Sequence, residues 1–233
     1  MPNHLTTDNR AAAAGIEFRR ALAIDRTNAL THFWYANVLA DTGQQPEAIR
    51  EFDNARLADP GSDQIAADYA WMLWIFGHDN EAQDRLKATL SSHPDNIEAL
   101  NCIATIALSR HDGDAFLKSY RRWASLRTEP ELLANYDTLA SAYLRHGFAG
   151  LLKALEDNEI NEQRDAPYPN HADAAFFASL AGDRTDLLRI IRIAATAHER
   201  FGSAGYLRRE RQRWSSDRAI LDALTTMSGD RAE

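Results

Sequence analysis

The chain has 233 residues, of which 45% are apolar and 26% charged, with 26 Lys and Arg against 34 Asp and Glu and a formal net charge of −8 at pH 7. Such a balance belongs to a folded, water-soluble chain and argues against binding nucleic acid or an anionic membrane through its surface as a whole. One cysteine, Cys102, excludes an intramolecular disulfide framework, and its neighbours Ile103, Ala104 and Ile106 mark it as a small core residue.

No apolar run approaches the roughly 18 residues a membrane span requires. The opening MPNHLTTDNR lacks the apolar core of a signal peptide. A soluble cytoplasmic protein is therefore expected, with disorder confined to residues 1–10 and 229–233. Residues 11–25 form the first predicted helix. Its Ala14, Phe18 and Ala21 lie 34 residues before Ala48, Phe52 and Ala55, so 11–28 is the second half of a repeat. The array is expected to continue upstream of Met1, or else to end open there, leaving apolar surface through which copies of the chain could associate.

Residues 29–62 and 63–96 are full repeats. Shifted by 34 residues they coincide at Tyr35/Tyr69, Ala36/Ala70, Leu39/Leu73, Gly43/Gly77, Glu47/Glu81, Ala48/Ala82 and Pro60/Pro94. In the first, Phe33, Ala36, Val38, Leu39 and Ala40 recur at helical spacing, and Gly43 ends the helix. Pro46 opens the next helix, where its missing N–H costs nothing; Ala48, Ile49, Phe52 and Ala55 share a face that stops before Pro60. The alanines are where paired helices can approach closely. Each pair is apolar on two sides and must stack on neighbours.

Beyond Pro94 the pattern decays. Residues 97–130 continue as a degenerate repeat, with Ala104 in register and Gly113 two residues late. From 131 to 228, Ala140, Tyr143 and Gly147 and then Ala175 and Gly182 keep the internal offsets of further helix pairs. A closing helix after Asp217 carries Ile220, Leu221 and Leu224 over the last pair.

Chemistry-bearing patterns are sparse. HDGD at 111–114, His78–Asp79 and His146–Gly147 fall at inter-helix turns, where these residue types stop and cap helices; His171 is expected to pack between helices. There is no HExxH, paired CxxC, calcium loop, GxSxG or phosphate-binding glycine loop. No catalytic residue, metal site or cofactor is expected, and the chain reads as a non-enzyme. The basic run YLRRERQRW, 206–214, reads as a solvated helix face, with an acidic partner or nucleic acid as the lesser alternative.

The 34-residue pattern resembles the tetratricopeptide repeat, carried here by Tyr35–Ala36–Leu39 with Ala48–Phe52–Pro60, and by Tyr69–Ala70–Leu73 with Ala82–Leu86–Pro94. His32 and Ala66 occupy the slot where that family has tryptophan. The resemblance implies an all-α, right-handed solenoid of antiparallel helix hairpins, degenerate towards a capping helix, that binds a protein or peptide in a concave groove. The late segments are also similar to the C-terminal region of bacterial winged-helix transcriptional regulators, which implies a regulatory or sensory role.

By the same resemblance the first helix of each hairpin lines the groove, and the residues implied there are Phe33, Asn37, Trp71, Trp74, Asn101, Leu108 and Arg145. Trp71 and Trp74 stand out, because large aromatics with one polar atom favour interfaces. The offsets hold no lysine–arginine clamp for a peptide carboxylate until Arg145. An apolar, aromatic groove taking an extended segment or helix is expected, and a small-ligand-sensing module built on the aromatics around Trp71 is the alternative.

Overall fold

The computed structural model describes residues 7–164, 166–167, 169–199 and 204–228. The expected disorder at 1–6 and 229–233 lies outside these, whereas residues 7–10, also expected to be disordered, are helical. Among the described residues there are twelve helices and no strand: α1 (Thr7–Ile24), α2 (Ala29–Asp41), α3 (Gln45–Ala58), α4 (Asp63–Ile75), α5 (Asp79–Ser92), α6 (Ile97–Ser109), α7 (Gly113–Ser125), α8 (Pro130–Gln163), α9 (Ala172–Leu180), α10 (Arg184–Thr196), α11 (Ala204–Arg213) and α12 (Arg218–Ser228). None is long and apolar enough to cross a membrane. The chain forms two compact units, one of residues up to Ala99 together with 204–209, the other of the remainder.

In the first unit, local chemistry sets the helix ends. The Asn28 side chain accepts from the Thr31 N–H at 2.8 Å at the start of α2, Pro46 sits in the first turn of α3, and the Ser62 hydroxyl accepts from the Ile65 N–H at 3.3 Å at α4. α2 packs on α3, α4 on α5, α3 on α4 and α1 on α2. Ala36, Ala48, Ala70 and Ala82 are completely buried, as close helix approach at small side chains requires.

The aromatic contacts between neighbouring pairs repeat with the sequence. Phe18 stacks on Tyr35 with ring centroids 5.6 Å apart, and 34 residues later Phe52 stacks on Tyr69 at 5.3 Å. The Tyr35 hydroxyl accepts from Arg19; the Tyr69 hydroxyl donates to Asp53, the residue 34 positions after Arg19, at 3.0 Å. Burial, then the Asp53 charge, push the Tyr69 phenol up to about 12. The period is thus a period of contacts.

The stop signal repeats as well. Gly43, Gly77 and His111, each 34 residues apart, are left-handed, with φ of 75°, 89° and 59°. At each, the N–H bonds the carbonyl three residues back and the next N–H reaches five back: Gly43 to Ala40 and Gln44 to Leu39, Gly77 to Trp74 and His78 to Leu73, His111 to Leu108 and Asp112 to Ala107. This pairing closes a helix on a left-handed residue. Gly182 and His198 end α9 and α10 in the same way.

One expectation is corrected here. Gly113 is not a late turn glycine: His111 holds the left-handed position in register, its ring 4.9 Å from Phe148. Gly113 opens α7 where a Cβ would stand 2.4 Å from the Tyr143 ring. It is a close-approach glycine rather than a turn glycine.

In the second unit α7 packs on α8, α8 on α9, α9 on α10 and α10 on α12. α8 is interrupted at Gly147, whose φ of 64° and ψ of −157° only glycine adopts easily. Its core holds Leu139, Leu151, Leu152, Phe176, Leu187, Ile190, Ile220, Leu224 and Met227. Buried polar groups are matched: His171 Nδ1 lies 2.7 Å from the Glu199 carboxylate, which also accepts from the His171 N–H. The Ser179 hydroxyl donates to Glu210 and accepts from the Trp214 indole at 2.8 Å. The closing helix begins as expected, with Asp217 accepting from the Ile220 N–H.

A left-handed position taken by an exposed non-glycine carries removable strain. His198→Gly should therefore stabilise the chain by about 1 kcal/mol, whereas Gly77→Ala should cost at least about 1 kcal/mol. Gly113→Ala should cost more than Gly77→Ala, because the Tyr143 ring must move. Urea denaturation of the three variants checks the order.

Candidate functional site

Four of the seven residues implied for a groove lie in the first unit. Phe33 and Trp74 are buried there, each 1% exposed. The Phe33 ring packs edge-on against Trp34 and Phe52, with centroids at 4.9 and 6.1 Å. Asn37 is half-buried, and its amide donates to the Phe33 carbonyl at 3.0 Å. Trp71 is half-buried with its ring 4.7 Å from that of Trp74. In the second unit Leu108 is buried, while Asn101 and Arg145 are exposed, with Arg145 Nε donating to the Ser141 carbonyl at 3.2 Å.

Phe33, Trp74 and Leu108 thus act through packing rather than as open groove side chains. The physical reason is helical geometry: these positions fall on the same side of their helices as the buried alanines Ala36, Ala70 and Ala104. The side chains of α2 and α4 that do reach solvent are others. Leu30 is 62% and Trp34 48% exposed; Asp41 and Gln64 are exposed, and Asp68, Trp71 and Phe76 half-buried. Trp34 was legible in HFWY only as one of three neighbouring aromatic side chains.

Electrostatics add to this. Burial, then the nearby charge of Glu98, push the Asp68 carboxyl up to about 6. The exposed surface of α2 and α4 is therefore aromatic and acidic, without a lysine or arginine of its own.

A second feature was invisible in the sequence. Residues 207–209 of α11 belong to the first unit, and Arg209 is not solvated. Its guanidinium lies 4.4 Å from the centre of the Trp74 ring. It donates to the Trp74 carbonyl and to both oxygens of Asp79, at 2.7 and 3.3 Å. Arg208 lies over Phe76 at 5.7 Å, and Leu207 is buried. The Trp74 indole N–H is buried with no acceptor. The corner between α4 and α5 is thus a seat for a planar cation: an aromatic face, a carbonyl at the negative end of a helix, and a carboxylate.

A third feature is a cleft of about 430 Å³ among α1, α2 and α3, lined by Arg19, Leu22, Arg26, His32, Tyr35 and Glu51 among others. His32 is held there by Glu51, 2.6 Å from Nδ1, and by the Arg26 carbonyl, 3.0 Å from Nε2.

No family model and no curated protein matches the chain.

The raised Asp68 carboxyl makes stability depend on pH. A carboxyl raised from 3.8 to about 6 on folding prefers the proton in the native state, so its contribution is complete below about pH 4 and lost as the pH rises through 6. Asp68→Asn removes that loss. Its melting temperature should match wild type at pH 4 and exceed it at pH 7.5; an equal difference at both pH values would show that the carboxyl is not the cause.

Proposed function

We propose that this chain is a repeat protein of the tetratricopeptide kind whose work is to bind another protein. Its helix pairs form a right-handed solenoid, and it acts as a scaffold without catalysis, taking a peptide or helix along α2 and α4. The observation that carries this reading is the pair Trp34 and Trp71, one 48% exposed and the other half-buried, on the first helices of the two best-formed repeats. Exposed tryptophan beside Leu30 is surface that a partner covers with gain. Asp41 and Asp68 on the same two helices, with Glu98 close enough to raise the Asp68 carboxyl, give that surface a preference for a basic partner. The similarity of the late segments to regulator C-termini supports a regulatory role for the capture.

A second reading, a small-ligand-sensing module, has its own support, though away from Trp71. The cleft among α1, α2 and α3 combines an apolar wall at Leu22 and Leu39 with polar groups from Arg19, Arg26 and Tyr35, which is the composition of a small-molecule site.

Peptides selected by display on the full chain separate the two readings. Under the first, Trp71→Ala and Trp34→Ala should each weaken the selected peptides about 30-fold, corresponding to about 2 kcal/mol at an interface hot spot, with circular dichroism unchanged. Binding that survives both substitutions would reject the first reading.

A further inference from the structure

We propose that the corner between α4 and α5 is an arginine-recognition site, that α11 occupies it in cis through Arg209, and that the partner of this surface is an arginine-bearing helix competing with α11 in trans. The inference deepens the protein-binding reading above and rests on it.

The chain itself shows what the site takes. Three different groups converge on one guanidinium: the Trp74 face at 4.4 Å, the Trp74 carbonyl and the paired oxygens of Asp79. Each suits arginine specifically. The flat face stacks on indole, the fork matches a carboxylate, and the remaining N–H reaches a carbonyl at a helix C-terminus, where the dipole favours positive charge. A lysine ammonium could bond the carbonyl and the carboxylate, but it has neither the flat face nor the planar fork. Arg208 stacked over Phe76 extends the same preference by one residue.

The hold of residues 207–209 within the first unit is of a kind that another helix can replace. Of the ten residues of α11, AGYLRRERQR, six are Arg, Glu or Gln, and among its described side chains Leu207 is the buried apolar one. The Arg209 guanidinium, 20% exposed, is paired with an Asp79 carboxylate 40% exposed. Contacts of this type are weakened by salt and exchange readily.

The test uses the full chain and a fluorescein-labelled peptide of residues 204–214, followed by anisotropy. Binding to Arg209→Ala, in which the cis arginine is gone, should be at least 10-fold tighter than to wild type. Adding Asp79→Asn to that variant should abolish the gain, and a peptide carrying alanine at position 209 should not bind either form. Arg209→Gln, which keeps the helix propensity, gives the same comparison should the alanine variant fold poorly. Equal affinity for wild type and both Arg209 variants overturns the proposal, as does an arginine-free peptide that binds equally well. Loss of fold in both variants also overturns it, because the contact would then be structural. If display-selected peptides still depend on Trp71 while this peptide shows no gain, the arginine site falls and the protein-binding reading stands.

Discussion

Two helices can lie against each other only as closely as the side chains between them allow, and in the first unit that limit is set by alanine. Ala36 and Ala48 lie on the packed pair α2 and α3, and Ala70 and Ala82 on the packed pair α4 and α5, all four with no exposed surface. The close pair needs a turn that reverses the chain within three residues. The left-handed positions at Gly43, Gly77 and His111 supply it with the same two hydrogen bonds each time. A larger side chain at the alanines, or a right-handed residue at the stops, would change the spacing on which every later contact depends.

Once the pairs are fixed, their stacking follows from the aromatics. Phe18 on Tyr35 and Phe52 on Tyr69 are one contact made twice, and Arg85 covers the Tyr69 ring at 4.3 Å. On the same helices Phe33 and Trp74 are buried, while Trp34 is exposed and Trp71 half-buried. The same arrangement brings the C-terminal end of α4 and the first turn of α5 together, so that the Trp74 carbonyl and the Asp79 carboxylate converge on one guanidinium. The candidate interaction surface is therefore a by-product of the repeat geometry, specialised by a few side chains.

Much of this was legible in the sequence because the requirements are local. A left-handed stop asks for glycine, a close crossing asks for alanine and a helix start tolerates proline; each leaves a mark at a fixed spacing. Helices α1 to α5 and the closing helix after Asp217 follow from such marks. Where a requirement has more than one solution, the reading slips: histidine can also adopt the left-handed stop at 111, and a glycine two residues on then answers a different need, the Tyr143 ring. Burial of Phe33 and Trp74 could be read from their spacing to Ala36 and Ala70, but the family resemblance assigned those positions to a groove instead. The Arg209 contact joins residues 130 positions apart. Nothing in the run YLRRERQRW distinguishes an arginine that meets tryptophan from one that meets water.

Residues 207–209 are held in the first unit through Arg209, and amide hydrogen exchange followed by mass spectrometry measures that hold. In wild type, residues 207–213 should be protected well beyond an isolated ten-residue helix, which is marginal in water. Asp79→Ala should lower that protection at least 10-fold while leaving α2 and α3 unchanged. Protection of 207–213 that is unaffected by Asp79→Ala, or absent from wild type, would contradict the account.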